Sequence, residues 1–180
     1  MKGKVNQTRY EYMTQTPVPK LITTLAVPTI ISMLVTGVYN TADTFFVGRI
    51  STQATAAVGL VFSVMAIIQA LGFFCGHGSG NYLSRMLGAG NRQEADEMAS
   101  TGFALALIIG AFVAALGNMF LDQIAIGVGA TATTLEETTS YMRIILLGAP
   151  FMIGQFVINN QLRFQGSAMF AMIGLMSGAF

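Results

Sequence analysis

Charge is so distributed in this 180-residue chain that five long stretches contain no Asp, Glu, Lys or Arg. They run from Leu21 to Ala42, Ile50 to Ser84, Met98 to Leu121, Ile144 to Leu162 and Phe164 to Phe180, and are 22, 35, 24, 19 and 17 residues long. A helix needs about 20 apolar residues to cross about 30 Å of hydrocarbon, so each stretch has roughly the length of one crossing. Hydrocarbon offers no water to unpaired backbone groups, which restricts spanning structure to helices and closed barrels. The expected fold class is all-α: a polytopic membrane protein of about five transmembrane helices, with the lipid bilayer as its first partner.

Composition excludes the main alternatives. With 53% hydrophobic and 9% charged residues, the chain has too little charged surface for a water-soluble globule of this size. Its nine cations are dispersed and its net charge is +1, so no basic patch exists to neutralise phosphates and no nucleic-acid partner is expected. The single Cys75 has no internal disulfide partner and reads as a small buried hydrophobe. The first twenty residues, MKGKVNQTRYEYMTQTPVPK, are polar and lack the apolar run of a cleavable signal peptide. The first span is therefore expected to direct insertion.

Lys2, Lys4, Arg9 and Lys20 place the N-terminus in the cytoplasm under the positive-inside rule. Alternation then leaves Arg85, Arg92 and Arg163 inside, and Arg49 and Arg143 outside. The second outside loop, Asn118 to Thr134, carries Asp122 and no cation. Expected spans are approximately 17–47, 53–80, 93–117, 135–162 and 167–180, after a cytoplasmic tail at 1–16.

Pro17 and Pro19 suit a first helical turn. Pro28, deeper in the span, removes a backbone hydrogen bond and is expected to bend the helix, either for packing or as a hinge. The second stretch is too long for one perpendicular crossing, so it either tilts or ends early at GFFCGHGSGN, whose glycines would permit close helix approach. Its GxGxG lacks the strand–helix setting of a dinucleotide site. Asn91 with Glu94, and Thr134 with Glu137, have the spacing of helix-start capping pairs.

Asp43 is the one acidic residue within reach of membrane depth. A carboxylate near the bilayer centre costs roughly 2.5–3.5 kcal/mol on insertion scales, and Asp43 lies near a span end. With Tyr39 one turn earlier on the same face and Asn40 and Thr44 beside it, it suits binding a cation or a proton, because desolvation raises a carboxyl pKa. The competing reading puts the carboxylate in interfacial water. Asn159, Asn160, Gln161 and Gln165 crowd the inner end of span four around Arg163, where amides either line a polar cavity or join helices. His77 has no carboxylate or second histidine near it in sequence and reads as a polar residue at a helix end rather than a proton relay. Twelve methionines and thirteen phenylalanines supply lipid-facing filler or an adaptable apolar pocket. No paired carboxylates, metal-spaced histidines or activated nucleophile appear, so neither an enzyme nor a metal site is expected.

An ordered set of motifs runs from Pro28 through YNTADTFFVG, ATAAVGL, GHGSGNYLSRMLGAGN, LGAPF and NNQLRFQGSAMFAMIG. Together they resemble the N-terminal half of a transporter of the MATE (multidrug and toxic compound extrusion) family, and within it the MepA-like bacterial branch. The resemblance covers nearly the whole chain from Pro17 onward. It implies that residues 17–180 form most of a six-helix N-lobe in a twelve-helix protein, in the bacterial plasma membrane. It further implies exchange of protons or sodium ions for small amphipathic, often cationic drugs, with no organic cofactor. Asp43 then falls on the family's first-helix aspartate, the N-lobe ion site of several members. Tyr39 falls on a tyrosine one turn before it, Pro28 on the first-helix proline associated with bending, and either Asn159 or Asn160 on a fourth-helix asparagine near that site. A family member continues past SGAF to a fifth-helix asparagine and aspartate and a C-terminal lobe. The expectation is therefore an incomplete portion that does not transport alone and whose partner is the missing lobe. Two alternatives are a lipid-linked oligosaccharide flippase of the same superfamily, disfavoured by the sparse cations within the spans, and a small non-transporting membrane assembly protein.

Overall fold

The computed structural model describes residues 15–49 and 51–179, with the side chains of 43, 47, 176, 178 and 179 outside the description. Among the described residues six helices of seven residues or more follow one another: α1 Val18–Gly48, α2 Thr52–Gly88, α3 Arg92–Met119, α4 Leu121–Gly127, α5 Leu135–Phe164 and α6 Ala168–Ala179. No strand occurs among the described residues. Four of these helices, α1, α2, α3 and α5, are long and apolar enough to cross a membrane.

Helix starts follow local chemistry. Ser51 sits in extended backbone and its Oγ accepts from the Ala54 amide at 2.9 Å, starting α2. Asn91 does the same for α3, accepting from the Glu94 amide at 3.3 Å. The reciprocal half of that expected pair is absent, because the Glu94 carboxylate takes the Tyr82 hydroxyl at 3.1 Å instead. Thr134 departs from expectation too. It makes no side-chain cap bond to α5, and its Oγ1 accepts from the Thr131 amide at 3.0 Å, closing the preceding turn.

The segment around Gly72 to Gly80 does not end α2. The helix continues for 37 residues to Gly88, about 55 Å at 1.5 Å per residue. Interior glycine costs a helix roughly 1 kcal/mol relative to alanine, and the compensation is visible in the packing. A Cβ on Gly72 would meet Phe156, one on Gly76 would meet Asn160, and one on Gly80 would meet Phe164. Three glycines at four-residue spacing thus receive three α5 side chains at the same spacing, and the two helices run parallel. On the other side of α5, Gly110 of α3 lies against the backbone of Pro150 and Gly117 against Leu146, an antiparallel crossing. Lipid is as apolar as a leucine side chain, so this close fit, rather than escape from water, is what distinguishes these contacts.

The buried core draws Val61, Ile68 and Cys75 from α2, Ala106 from α3, Leu121 and Ala125 from α4, and Met142, Leu146, Ile153 and Val157 from α5. None of the described residues of α1 or α6 belongs to this cluster, although Ser32 of α1 and Ala168 and Ala171 of α6 are buried outside it. The short α4 occupies ground read from sequence as an outer loop, because Leu121 and Ala125 point into the core beneath the start of α5. Helix α1 packs mainly against α6 and only lightly against α2. Its helical assignment is unbroken through Pro28, which is buried. Hydroxyls bond back to backbone carbonyls on either side of the proline: Thr24 to Lys20 at 2.9 Å, Thr29 to Leu25 at 3.0 Å and Ser32 to Pro28 at 2.8 Å.

Candidate functional site

The candidate ion residues occupy two separate places. Tyr39, Asn40 and Asp43 belong to the last ten residues of α1, which only three residues separate from Thr52, the first residue of α2. Tyr39 is 54% exposed and Asn40 is exposed; the Asp43 side chain is outside the described residues. Asn160, by contrast, lies beside Gly76, 24 residues and about 36 Å along α2 from Thr52. The structure therefore does not bring the two asparagines of α5 together with Tyr39 and Asn40.

Helical rotation separates the two asparagines from each other. Asn160 is 7% exposed, fills the space left by Gly76 and donates from Nδ2 to the Phe156 carbonyl at 2.8 Å. It joins helices. Asn159 is half-buried, faces α6 and donates from Nδ2 to the Ala171 carbonyl at 3.1 Å. It also lines a groove.

That groove has a volume of about 330 Å³ and lies between α3, α5 and α6. Phe103 of α3, Phe151 of α5 and Phe170 of α6 supply aromatic surface, and Gln155 and Asn159, one turn apart on α5, supply the amides. Its walls are otherwise aliphatic or glycine, including Leu107, Gly154 and Gly174. Apolar concavities carrying a few polar groups are the usual form of a small-molecule site. The sequence reading missed Gln155 and the three phenylalanines. The i, i+4 spacing of Gln155 and Asn159 was its only available signal, since phenylalanine is spread throughout the chain.

A second polar centre joins three helices. Gln161 of α5 is 6% exposed, and its Nε2 donates to Ser79 Oγ of α2 and to the Ala99 carbonyl of α3, both at 3.1 Å. Ser79 Oγ in turn donates to the Cys75 carbonyl at 2.7 Å. With every described partner internal, this centre holds the bundle and does not open to the groove. His77 Nδ1 lies 2.9 Å from the Phe73 carbonyl, one turn back on its own helix, and its ring packs at 5.4 Å from Phe73 and 5.8 Å from Phe164. No group of three or more metal-ligating side chains occurs among the described residues.

Long apolar helices, glycine-mediated packing and an aromatic groove with two amides define a multi-pass membrane protein. The family model for MatE matches residues 28–180, and the chain belongs to that family. It is 31% identical over 167 residues to the multidrug export protein MepA of Staphylococcus aureus (strain MRSA252), covering 92% of this chain and 37% of the relative. A solved structure of the outward-facing conformation of a multidrug resistance MATE family transporter of the MOP superfamily superposes with a TM-score of 0.84 at 32% identity, covering 89% of this chain and 36% of the other. A crystal structure of MATE in the bent conformation gives 0.82 at the same identity and coverage. The chain thus spans little more than a third of the length of these relatives.

Proposed function

We propose that this chain belongs to a cation-coupled antiporter that exports amphipathic, often cationic drugs by alternating access, and that it performs no covalent chemistry and needs no organic cofactor. The groove between α3, α5 and α6 is the observation that carries the reading. Flat aromatic molecules bury area against phenylalanine faces and edges, while the Gln155 and Asn159 amides offer hydrogen bonds that fix orientation. The MepA relative is a multidrug export protein and a matched structure is a multidrug resistance transporter, which supports the same substrate class.

In this reading Asp43, with Tyr39 and Asn40, takes a proton or a sodium ion at the outer end of α1. Occupancy of that carboxylate changes the relative free energy of two conformations, and drug binding draws on the same difference. Pro28 serves as the bending point of α1; the bent conformation solved for a relative is compatible with this. Asn159 contacts drug, and Asn160 keeps α5 seated on α2. The protein lies in the bacterial plasma membrane with its N-terminus in the cytoplasm, and its six-helix lobe works against a second lobe of the same polypeptide.

Ethidium efflux from cells expressing the full-length, two-lobe transporter that contains this chain tests both parts. Asp43→Asn is expected to lower efflux at least tenfold under the gradient that drives it, proton or sodium, and Gln155→Leu to weaken ethidium export while sparing folding. Unchanged efflux of Asp43→Asn under both gradients removes Asp43 from coupling. Unchanged efflux of Gln155→Leu combined with Phe103→Ala removes the groove from drug binding.

A further inference from the structure

One face of α5 forms the floor of the groove. Phe151, Gly154, Gln155, Ile158, Asn159 and Leu162 all line it, at the three- and four-residue steps that keep positions on one side of a helix. Five of them present a side chain, and Gly154 presents bare backbone. Glycine is unfavourable in mid-helix, and here the packing gives it a task. Gly154 is buried, and a Cβ built on it would stand 3.1 Å from Cε2 of Phe103 and 3.4 Å from Cδ2 of Leu107. Both residues belong to α3, one turn apart, and both line the same groove. The edge of the Phe103 ring therefore rests against the α5 backbone, in the space where any other residue carries its first side-chain carbon.

We propose that Gly154, by seating Phe103 low in the wall, sets the size limit of the groove and is a specificity-determining residue for planar aromatic ligands. The inference rests on the reading of the groove as the drug site and adds which drugs it admits. A methyl group at position 154 takes up groove space itself. It also presses on Phe103, which is half-buried and has room to give on the side of the groove that it lines. Both effects shrink the same space. With a volume of about 330 Å³, the groove lies near the lower end of the roughly 300–1,000 Å³ of small-molecule sites. One methylene more or less in an apolar pocket changes discrimination about 10- to 200-fold, so a ligand that fills the groove feels the change and a slimmer one does not. Gly110 is a useful contrast, because its neighbour is the fixed backbone of Pro150. At Gly154 the neighbour is the far end of a ring that can swing, so α3 and α5 absorb the methyl group without separating.

Binding of two cationic dyes to the full-length, two-lobe transporter that contains this chain, purified into lipid nanodiscs and followed by fluorescence anisotropy, tests the proposal. Proflavine is a bare diaminoacridine. Ethidium carries the same two aryl amines on three fused rings and adds a phenyl and an ethyl group. Gly154→Ala is expected to weaken ethidium binding at least about tenfold and to leave proflavine within about twofold of the parent. Removing ring bulk in the same protein, Gly154→Ala with Phe103→Leu, is expected to recover most of the ethidium binding. Gly148→Ala, also on α5 but outside the groove lining and with nothing within 4 Å of its Cβ, is expected to leave the ratio of the two affinities unchanged. A general folding defect lowers both dyes together, so the ratio separates sizing from damage. Unchanged ethidium binding in Gly154→Ala, or an equal loss of both dyes, overturns the sizing role. The groove reading survives that result if Phe103→Ala combined with Gln155→Leu still weakens both dyes. Should that pair leave both dyes unaffected, the groove is not the drug site and the sizing role falls with it.

Discussion

Gly110 and Pro150 meet backbone to backbone, and no side chain larger than hydrogen fits between them. A Cβ built on Gly110 collides with the Pro150 Cα, an atom that cannot rotate away. Gly110→Ala is expected to destabilise the bundle by about 1–3 kcal/mol, read as a lower thermal unfolding midpoint in detergent, whereas Gly59→Ala, inside α2 where nothing lies within 4 Å, should raise the midpoint by a gain of up to about 1 kcal/mol in helix propensity. Thr138 presents the opposite opportunity. It is fully buried and its hydroxyl has no hydrogen-bond partner among the described residues, a defect that costs roughly 1–3 kcal/mol. Thr138→Val keeps the shape, removes the orphan group and is expected to raise the same midpoint. Neither residue stood out in the sequence. Gly110 is one of twenty glycines, and only the arrival of Pro150 from 40 residues away gives it a task.

At the level of elements, the junction of α2, α3 and α5 depends on one side chain. Gln161→Leu preserves volume and deletes both donated bonds, so a loss of about 1 kcal/mol is expected, accompanied by faster amide exchange at the start of α3. That α1, α2, α3 and α5 are helices was legible in the sequence, because a run of some twenty residues without charge sets the transfer free energy whatever the neighbours. Which face of each helix touches which partner was not. Helices that are apolar all round carry no stripe to separate core from lipid, so the asparagine pair at 159 and 160 was read as one cluster although the helix turns them to different neighbours. The glycine series at 72, 76 and 80 was legible as a close-approach surface, but its place in mid-helix was not, since the same residues also signal a helix end.

For the whole molecule, the proposed cytoplasmic N-terminus implies a direction across the bilayer that can be tested. If Lys20, Arg85, Arg92 and Arg163 are cytoplasmic and Arg49 and Arg143 are not, then a single cysteine introduced at Gln123 in a Cys75→Ala chain should react with an impermeant maleimide added outside intact cells. One introduced at Gln93 should react only after lysis. The reverse pattern would invert the topology and place the end of α1 bearing Asp43 on the inner face. The site was less legible than the fold. Its ion residues were proposed from a carboxylate among apolar neighbours, while the groove depends on residues from three helices up to 72 positions apart in sequence, Phe103 to Leu175, a juxtaposition that no local pattern encodes.

The burial of Cys75 equips the protein with an internal gauge. It is the chain's one sulfhydryl, 6% exposed and enclosed by the same packing that closes α2 onto α5. Alkylation there is slow while the bundle is shut and fast once it loosens. The native chain, with no engineering at all, thus offers a chemical clock for how often its centre opens in a living membrane.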